Sequence, residues 1–120
     1  MNKTTLVIGA STNPARYSNM AINRLRSKQI KTVALGLRKG KVADVEIDTE
    51  KLQYPDIDTV TLYLNPQRQE EYYNYIIDLK PRRVIFNPGT ENMEFIKLLK
   101  ENTIESEIAC TLVLLSTNQY

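Results

Sequence analysis

Short apolar runs alternate with polar breaks marked by proline, glycine or asparagine along the whole chain. Thr4-Thr5-Leu6-Val7-Ile8 is a β-branched apolar run that stops at Gly9, the pattern of a buried strand. Residues 9–18 are polar and contain the turn signal Asn13-Pro14. Helical spacing follows from about 19 to 28, with Met20, Ile22 and Leu25 facing inward and Ser18 or Asn19 as the cap. Thr32-Val33-Ala34-Leu35 reads as a second strand, Arg38 to Lys41 as a basic loop around Gly40, and residues 45–47 as a short third strand. Leu52 and Tyr54 are expected to tuck a loop against the sheet.

The second half repeats the pattern. Residues 59–64 form a strand, and Asn65-Pro66 opens a helix over 67–79. Tyr72, Tyr73, Ile76, Ile77 and Leu79 supply its apolar positions, and Pro81 stops it. Tyr72, Tyr73 and Tyr75 read as packing residues rather than a site. Arg83 to Phe86 is the next strand, ending at Asn87-Pro88-Gly89. A helix over 91–101 follows, with Phe95, Ile96, Leu98 and Leu99 inside. Residues 104–109 read as a last strand and 111–116 as a short terminal helix or tail. The alternation predicts one α/β domain over residues 1–120: a Rossmann-like, doubly wound parallel sheet with right-handed crossovers and helices on both faces.

Composition narrows the chemistry. The 120 residues include no histidine and a single cysteine, Cys110. That removes imidazole-based catalysis, an internal disulfide and the usual transition-metal ligand sets. No apolar run approaches the roughly 18 residues that span a bilayer, and no signal peptide opens the chain. A cytoplasmic location with no membrane partner is therefore expected. Up to residue 43 there are nine basic residues and no acid, whereas the remainder carries 14 acids against 7 bases, for a net charge of +2. Such polarity suits an anionic partner for the first half. An acidic second half and the lack of an aromatic-basic platform argue against nucleic acid.

Three loops fall at predicted strand ends, where a parallel sheet binds ligands. In the first, Gly9 lets backbone amides approach a bulky anion, Ala10 follows, and Ser11 and Thr12 offer hydroxyls. The following helix adds the positive end of its dipole. Positions 11 and 14 hold Ser11 and Pro14, so the dinucleotide fingerprint G-x-G-x-x-G is incomplete. At the second strand's end an NAD site would place an acid. Here Gly36-Leu37 leads into Arg38 and Lys39, which favours a ribose carrying an extra phosphate, as in NADP and coenzyme A. Leu64-Asn65-Pro66 and Asn87-Pro88-Gly89-Thr90 are the other two loops. Catalytic candidates are few. Glu91 reads more readily as an acid in a first helical turn than as a base, and Cys110 as a small buried hydrophobe rather than a nucleophile.

These loops together resemble the stand-alone CoA-binding-domain proteins, which are similar to the CoA-binding domain of the succinyl-CoA synthetase alpha subunit. The residues that carry the resemblance are Val7-Ile8-Gly9-Ala10-Ser11, Leu64-Asn65-Pro66 and Pro88-Gly89-Thr90-Glu91-Asn92, and it extends over roughly residues 3–112. It implies CoA held across the strand ends. Gly9, Ala10 and Ser11 would meet its phosphates, with Arg16, Tyr17 and Ser18 closing over them. Leu35, Gly36 and Arg38 would lie near the adenosine, Asn65 and Pro66 along the opposite wall, and Pro88 and Gly89 beside the pantetheine. Two features depart from the family: Gly36-Leu37 replaces its usual Asn-Pro, and residues 40–54 are compressed. The synthetase's phosphohistidine domain is absent from this chain, so no ligase activity is implied. The expected function is non-catalytic binding of coenzyme A or an acyl-CoA as sensor, carrier or regulatory module, with a homo-oligomer or protein partner left open. An NADP-binding enzyme or sensor, or an interaction domain with a decayed cofactor site, are the alternatives.

Overall fold

A computed structural model describes residues 3–120. Seven strands form one sheet: β1 (Thr4–Ala10), β2 (Lys31–Gly36), β3 (Gly40–Val42), β4 (Val45–Asp48), β5 (Ile57–Leu62), β6 (Arg83–Phe86) and β7 (Glu105–Ile108). Their spatial order is β3-β4-β2-β1-β5-β6-β7. Every pairing is parallel except β3 with β4. Without β3, the parallel strands follow the order of a Rossmann sheet, which reverses between β1 and β5. The helices are α1 (Tyr17–Ser27), α2 (Pro66–Gln69), α3 (Tyr73–Leu79), α4 (Met93–Glu101) and α5 (Thr111–Ser116), with a 3₁₀ turn at Glu70–Tyr72 joining α2 to α3.

Side-chain alternation along the strands fills both faces. Leu6, Ile8, Val60, Leu62, Val84 and Phe86 pack with Ile76, Phe95 and Leu99 of α3 and α4. On the other face Val7, Ala34 and Ile47 pack with Ile22 and Leu25 of α1 and Leu115 of α5. No helix among the described residues is long and apolar enough to cross a membrane.

Several expectations need correction. Helices do not alternate with strands throughout. The short antiparallel β3 replaces a helix between β2 and β4, and residues 49–56 cross to β5 without one. Too few residues separate β2 from β4 for a helical crossover. Helix α1 starts at Tyr17 with Arg16 at its N-cap, not Ser18 or Asn19. This earlier start turns Ser18, Ala21, Ile22 and Leu25 inward and leaves Met20 38% exposed. The single helix expected over 67–79 is broken at the 3₁₀ turn, and Gln69 and Tyr75 join its buried positions. Helix α4 starts at Met93 because the Asn92 carboxamide accepts from Phe95 N and caps it; Glu91 stands outside. Leu52 is exposed, whereas Tyr54 packs against the core.

Candidate functional site

A cleft of about 650 Å³ opens over the carboxyl ends of the strands, at the β1–β5 switch point. Its floor is the β1–α1 loop. Gly9 has φ +95°, and a Cβ there would come within 3.0 Å of the Tyr63 backbone. The β1–β2 register shifts between Ile8 and Ala10, so the glycine also marks an irregularity in the ladder. Beyond it the loop is held by its own polar atoms. The Ser11 hydroxyl accepts from Asn13 N at 3.1 Å, the Asn13 carboxamide from Ala15 N at 3.0 Å, and the Ser11 carbonyl from Asn19 Nδ2 at 2.9 Å. The buried Asn19 thus pins the loop to α1. The N-cap Arg16 makes no side-chain capping bond, and the first turn of α1 has no acid. That end presents amide donors and positive dipole to the cleft.

Gly36 packs still more closely, since a Cβ would stand 2.4 Å from the Ala10 carbonyl oxygen. The opposite wall rises from α2 and its flanks. The Asn65 side chain accepts from Arg68 N at 2.9 Å, capping α2. Arg68 and Tyr72, four residues apart, share the face that lines the cleft. The far end is the Pro88-Gly89 turn, where Gly89 has φ +91° and its amide donates to Glu91 Oε1 at 2.8 Å. Glu91 therefore closes this turn.

Two buried polar networks hold the walls. Gln69 Nε2 donates to the carbonyls of Leu64 and Thr90, each at 2.8 Å, while its oxygen accepts from Asn92 Nδ2 at 3.0 Å. Asn87 Nδ2 donates to Thr61 Oγ1 at 2.6 Å and the Leu62 carbonyl at 2.9 Å, and Asn87 Oδ1 accepts from Thr111 N at 2.8 Å. Beside them the Tyr63 phenol oxygen is buried without a hydrogen-bond partner. Burial pushes this phenol up to about 12, while the nearby Thr111 and Thr61 hydroxyls oppose the shift. It stays protonated at neutral pH.

Twelve of the fifteen residues singled out from sequence line this cleft: Gly9, Ala10, Ser11 and Thr12; Arg16, Tyr17 and Ser18; Gly36 and Arg38; and Asn65, Pro88 and Gly89. Leu35 does not. It is 2% exposed and belongs to the core. Pro66 occupies the first turn of α2 and stands outside the lining. Lys39 faces a separate hollow of about 330 Å³ on the β3–β4 hairpin. Asn13, Leu37, Tyr63, Leu64, Arg68, Tyr72 and Thr90 complete the wall. Of these, Arg68 carried a legible signal: a cation three residues into a helix opened by Asn-Pro at a strand end. Tyr72 was expected to pack only; the structure puts it on the cleft.

A doubly wound α/β sheet with its cleft at the switch point defines a Rossmann-like architecture. Residues 3–116 match the model of a CoA-binding domain, and the chain belongs to that family. It is also similar to a crystal structure of an uncharacterised protein, with 48% identity, a TM-score of 0.96, and 100% of this chain and 99% of that one covered. A Thermus thermophilus protein, cell-free ID.343, shares the fold at 22% identity and TM-score 0.86, covering 99% and 91% of the two chains. A hypothetical protein from Pyrococcus horikoshii OT3 gives 25% identity and TM-score 0.81 over 97% and 82%. No curated protein matches the chain.

Proposed function

We propose that the cleft binds coenzyme A or an acyl-CoA and holds it without transforming it. One observation carries this reading. Arg16, Arg38 and Arg68 all line the cleft, no acid lines it, and none of the three is in an ion pair among the described residues. Three uncommitted guanidiniums around an uncapped helix end suit a ligand with several phosphates. Gly9 lets the end of β1 turn tightly against Tyr63 and so sets the β1–α1 loop amides on the cleft floor, where a diphosphate would sit, and Arg38 at the β2 end suits a ribose phosphate. Membership of the CoA-binding family supports coenzyme A among ligands of that kind.

The side chains also support binding without turnover. No carboxylate, imidazole or thiol lines the cleft. The buried Tyr63 phenol, pushed up to about 12, is a poor base at neutral pH. Pro88 and Gly89 would flank the pantetheine, with the thioester end beyond them.

A thermal-shift panel of CoA, acetyl-CoA, dephospho-CoA, NAD and NADP tests the reading. At about 100 times its dissociation constant, CoA is expected to stabilise the fold by roughly 2.7 kcal/mol. Stabilisation by NADP alone would overturn it. The positions of Arg38 and Lys39 sharpen a second test. Arg38→Ala is expected to weaken CoA about tenfold more than dephospho-CoA in calorimetry, whereas Lys39→Ala leaves the ratio of the two unchanged. Equal losses for both ligands in Arg38→Ala would remove Arg38 from the ribose phosphate.

A further inference from the structure

The cleft ends at the Pro88-Gly89 turn, but the row of strand ends beneath it continues. In the sheet order β2-β1-β5-β6-β7, Arg38 follows β2, Gly9 lies at the end of β1, and Pro88 and Gly89 follow β6. One more strand stands beyond them. Neighbouring strands are about 4.8 Å apart, so a ligand laid from Arg38 to Pro88 meets the end of β7 next. That end carries Ile108, the last residue of β7 and 60% exposed. Ile108 is in register with Phe86 and so shares its face of the sheet, the face covered by α4. There the Phe86 ring meets Phe95 of α4 edge-on at 5.8 Å. Helix α4 leaves the Pro88-Gly89 turn, packs on β7 and runs back to its start, so the first residue of α4 is level with the last of β7. That first residue is Met93, 72% exposed. Either side chain alone needs no explanation. Together they flank, on one face, the outer side of the turn at which the cleft ends.

We propose, resting on the CoA reading of the cleft, that this corner carries the acyl chain and that the ligand is the CoA thioester of an uncharged hydrocarbon chain of medium length. With the pantetheine beside Pro88 and Gly89, the thioester passes over the turn and the chain lies along Met93 and Ile108. Apolar surface on both sides then leaves water. Methionine suits the role, because its unbranched, polarisable side chain adapts to the shape laid on it. The charges at the corner narrow the class. Glu91 and Glu94 are exposed at this end of α4. Residues 84–96 and 101–120 contain no lysine or arginine, and Lys97 lies a full turn further along α4. A chain ending in a carboxylate would therefore meet carboxylates first.

The experiment is calorimetry of the whole chain with CoA, acetyl-CoA, glutaryl-CoA and octanoyl-CoA. Octanoyl-CoA is expected to bind about tenfold or more tightly than acetyl-CoA, from methylenes covered on one side. Glutaryl-CoA is expected to gain nothing over acetyl-CoA. Met93→Ser with Ile108→Ser should remove most of the octanoyl gain and, because both side chains are exposed, leave the CoA dissociation constant within about twofold. Val113 is the control: it is 54% exposed on α5, which packs on the opposite face through Leu115. Val113→Ser should keep the gain. Equal affinity for acetyl-CoA and octanoyl-CoA, a gain that survives the double variant, or an equal loss in Val113→Ser overturns the assignment of the chain to this corner while CoA binding stands. Glutaryl-CoA binding more tightly than octanoyl-CoA overturns the class. So does a ligand-free chain that sediments as a dimer and becomes monomeric in the double variant, since the corner is then covered by a second copy. Failure of CoA itself to bind the unaltered chain overturns the reading beneath instead.

Discussion

Gly9→Val is expected to abolish measurable CoA binding and to destabilise the fold by about 3 kcal/mol. Two penalties coincide at this position. The backbone has φ +95°, where a β-branched residue is strained. The added Cβ would also meet the Tyr63 carbonyl carbon and oxygen, each at 3.0 Å. Backbone on both sides leaves no flexible side chain to give way, so relief requires β1 and β5 to part at the switch point. That displacement moves the β1–α1 loop, whose amides and hydroxyls form the cleft floor. Gly9→Ala separates the two penalties, since it keeps the close approach and lessens the side-chain strain. Chemical denaturation should give an intermediate loss for it, and calorimetry a weakened but detectable CoA affinity. Gly89→Ala is the useful contrast. Its φ of +91° carries strain, yet nothing lies within 4 Å of the added carbon. Unaltered CoA affinity in Gly9→Val would show that the cradle is not where the phosphates sit.

Much of this architecture was legible in the sequence because period and punctuation agreed. Thr5 to Ile8 stops at a glycine, and Phe95 and Leu99 repeat at helical spacing behind a polar cap. Such elements are set by local pattern, so they survive folding. The hairpin was not legible in the same way. Gly40–Val42 is three residues long, and it pairs at the sheet edge through backbone bonds that leave little trace in side-chain type. The phase of α1 was missed for a different reason. Arg16 is an unfavourable N-cap, and propensity points to Ser18 or Asn19. Tertiary bonds decide the start instead: Asn19 is buried and donates to the Ser11 carbonyl, which a capping Asn19 would not do. The cleft followed the same division. Strand-end loops were readable from the rule that ligands sit there. Two side chains reach in from a helix: Arg68 left a signal in its place three residues after Asn65, whereas Tyr72 depends on helix rotation and left none.

Asn87→Leu is expected to destabilise the protein by about 3–4 kcal/mol, although its sequence context suggested no more than the start of a turn. The residue is 2% exposed and its side chain bonds two elements, β5 and α5. Its amide nitrogen donates to Thr61 Oγ1 and the Leu62 carbonyl on β5, and its side-chain oxygen accepts from Thr111 N at the start of α5. A leucine of similar size fills the volume but leaves that carbonyl and that amide buried without partners, each a loss of about 1–3 kcal/mol. Asn87→Asp discriminates the polar argument from simple crowding. It keeps the acceptor for Thr111 N and turns the donor into a charge facing the Leu62 carbonyl. Burial would raise this carboxyl above its unfolded value, so the folded state binds the extra proton. Stability of that variant, relative to the parent, should therefore rise as pH falls through the raised folded value and drop again above it. Urea midpoints at pH 5 and pH 8 would show the difference, and a pH-independent deficit in Asn87→Asp would refute the assigned bonds. Because the Asn87 carbonyl also accepts from Thr90 N at 2.9 Å and Thr90 Oγ1 at 2.8 Å, either change should loosen the Pro88-Gly89 turn. Ligand affinity should then fall even at temperatures where the chain remains folded, as calorimetry on the folded variant would measure.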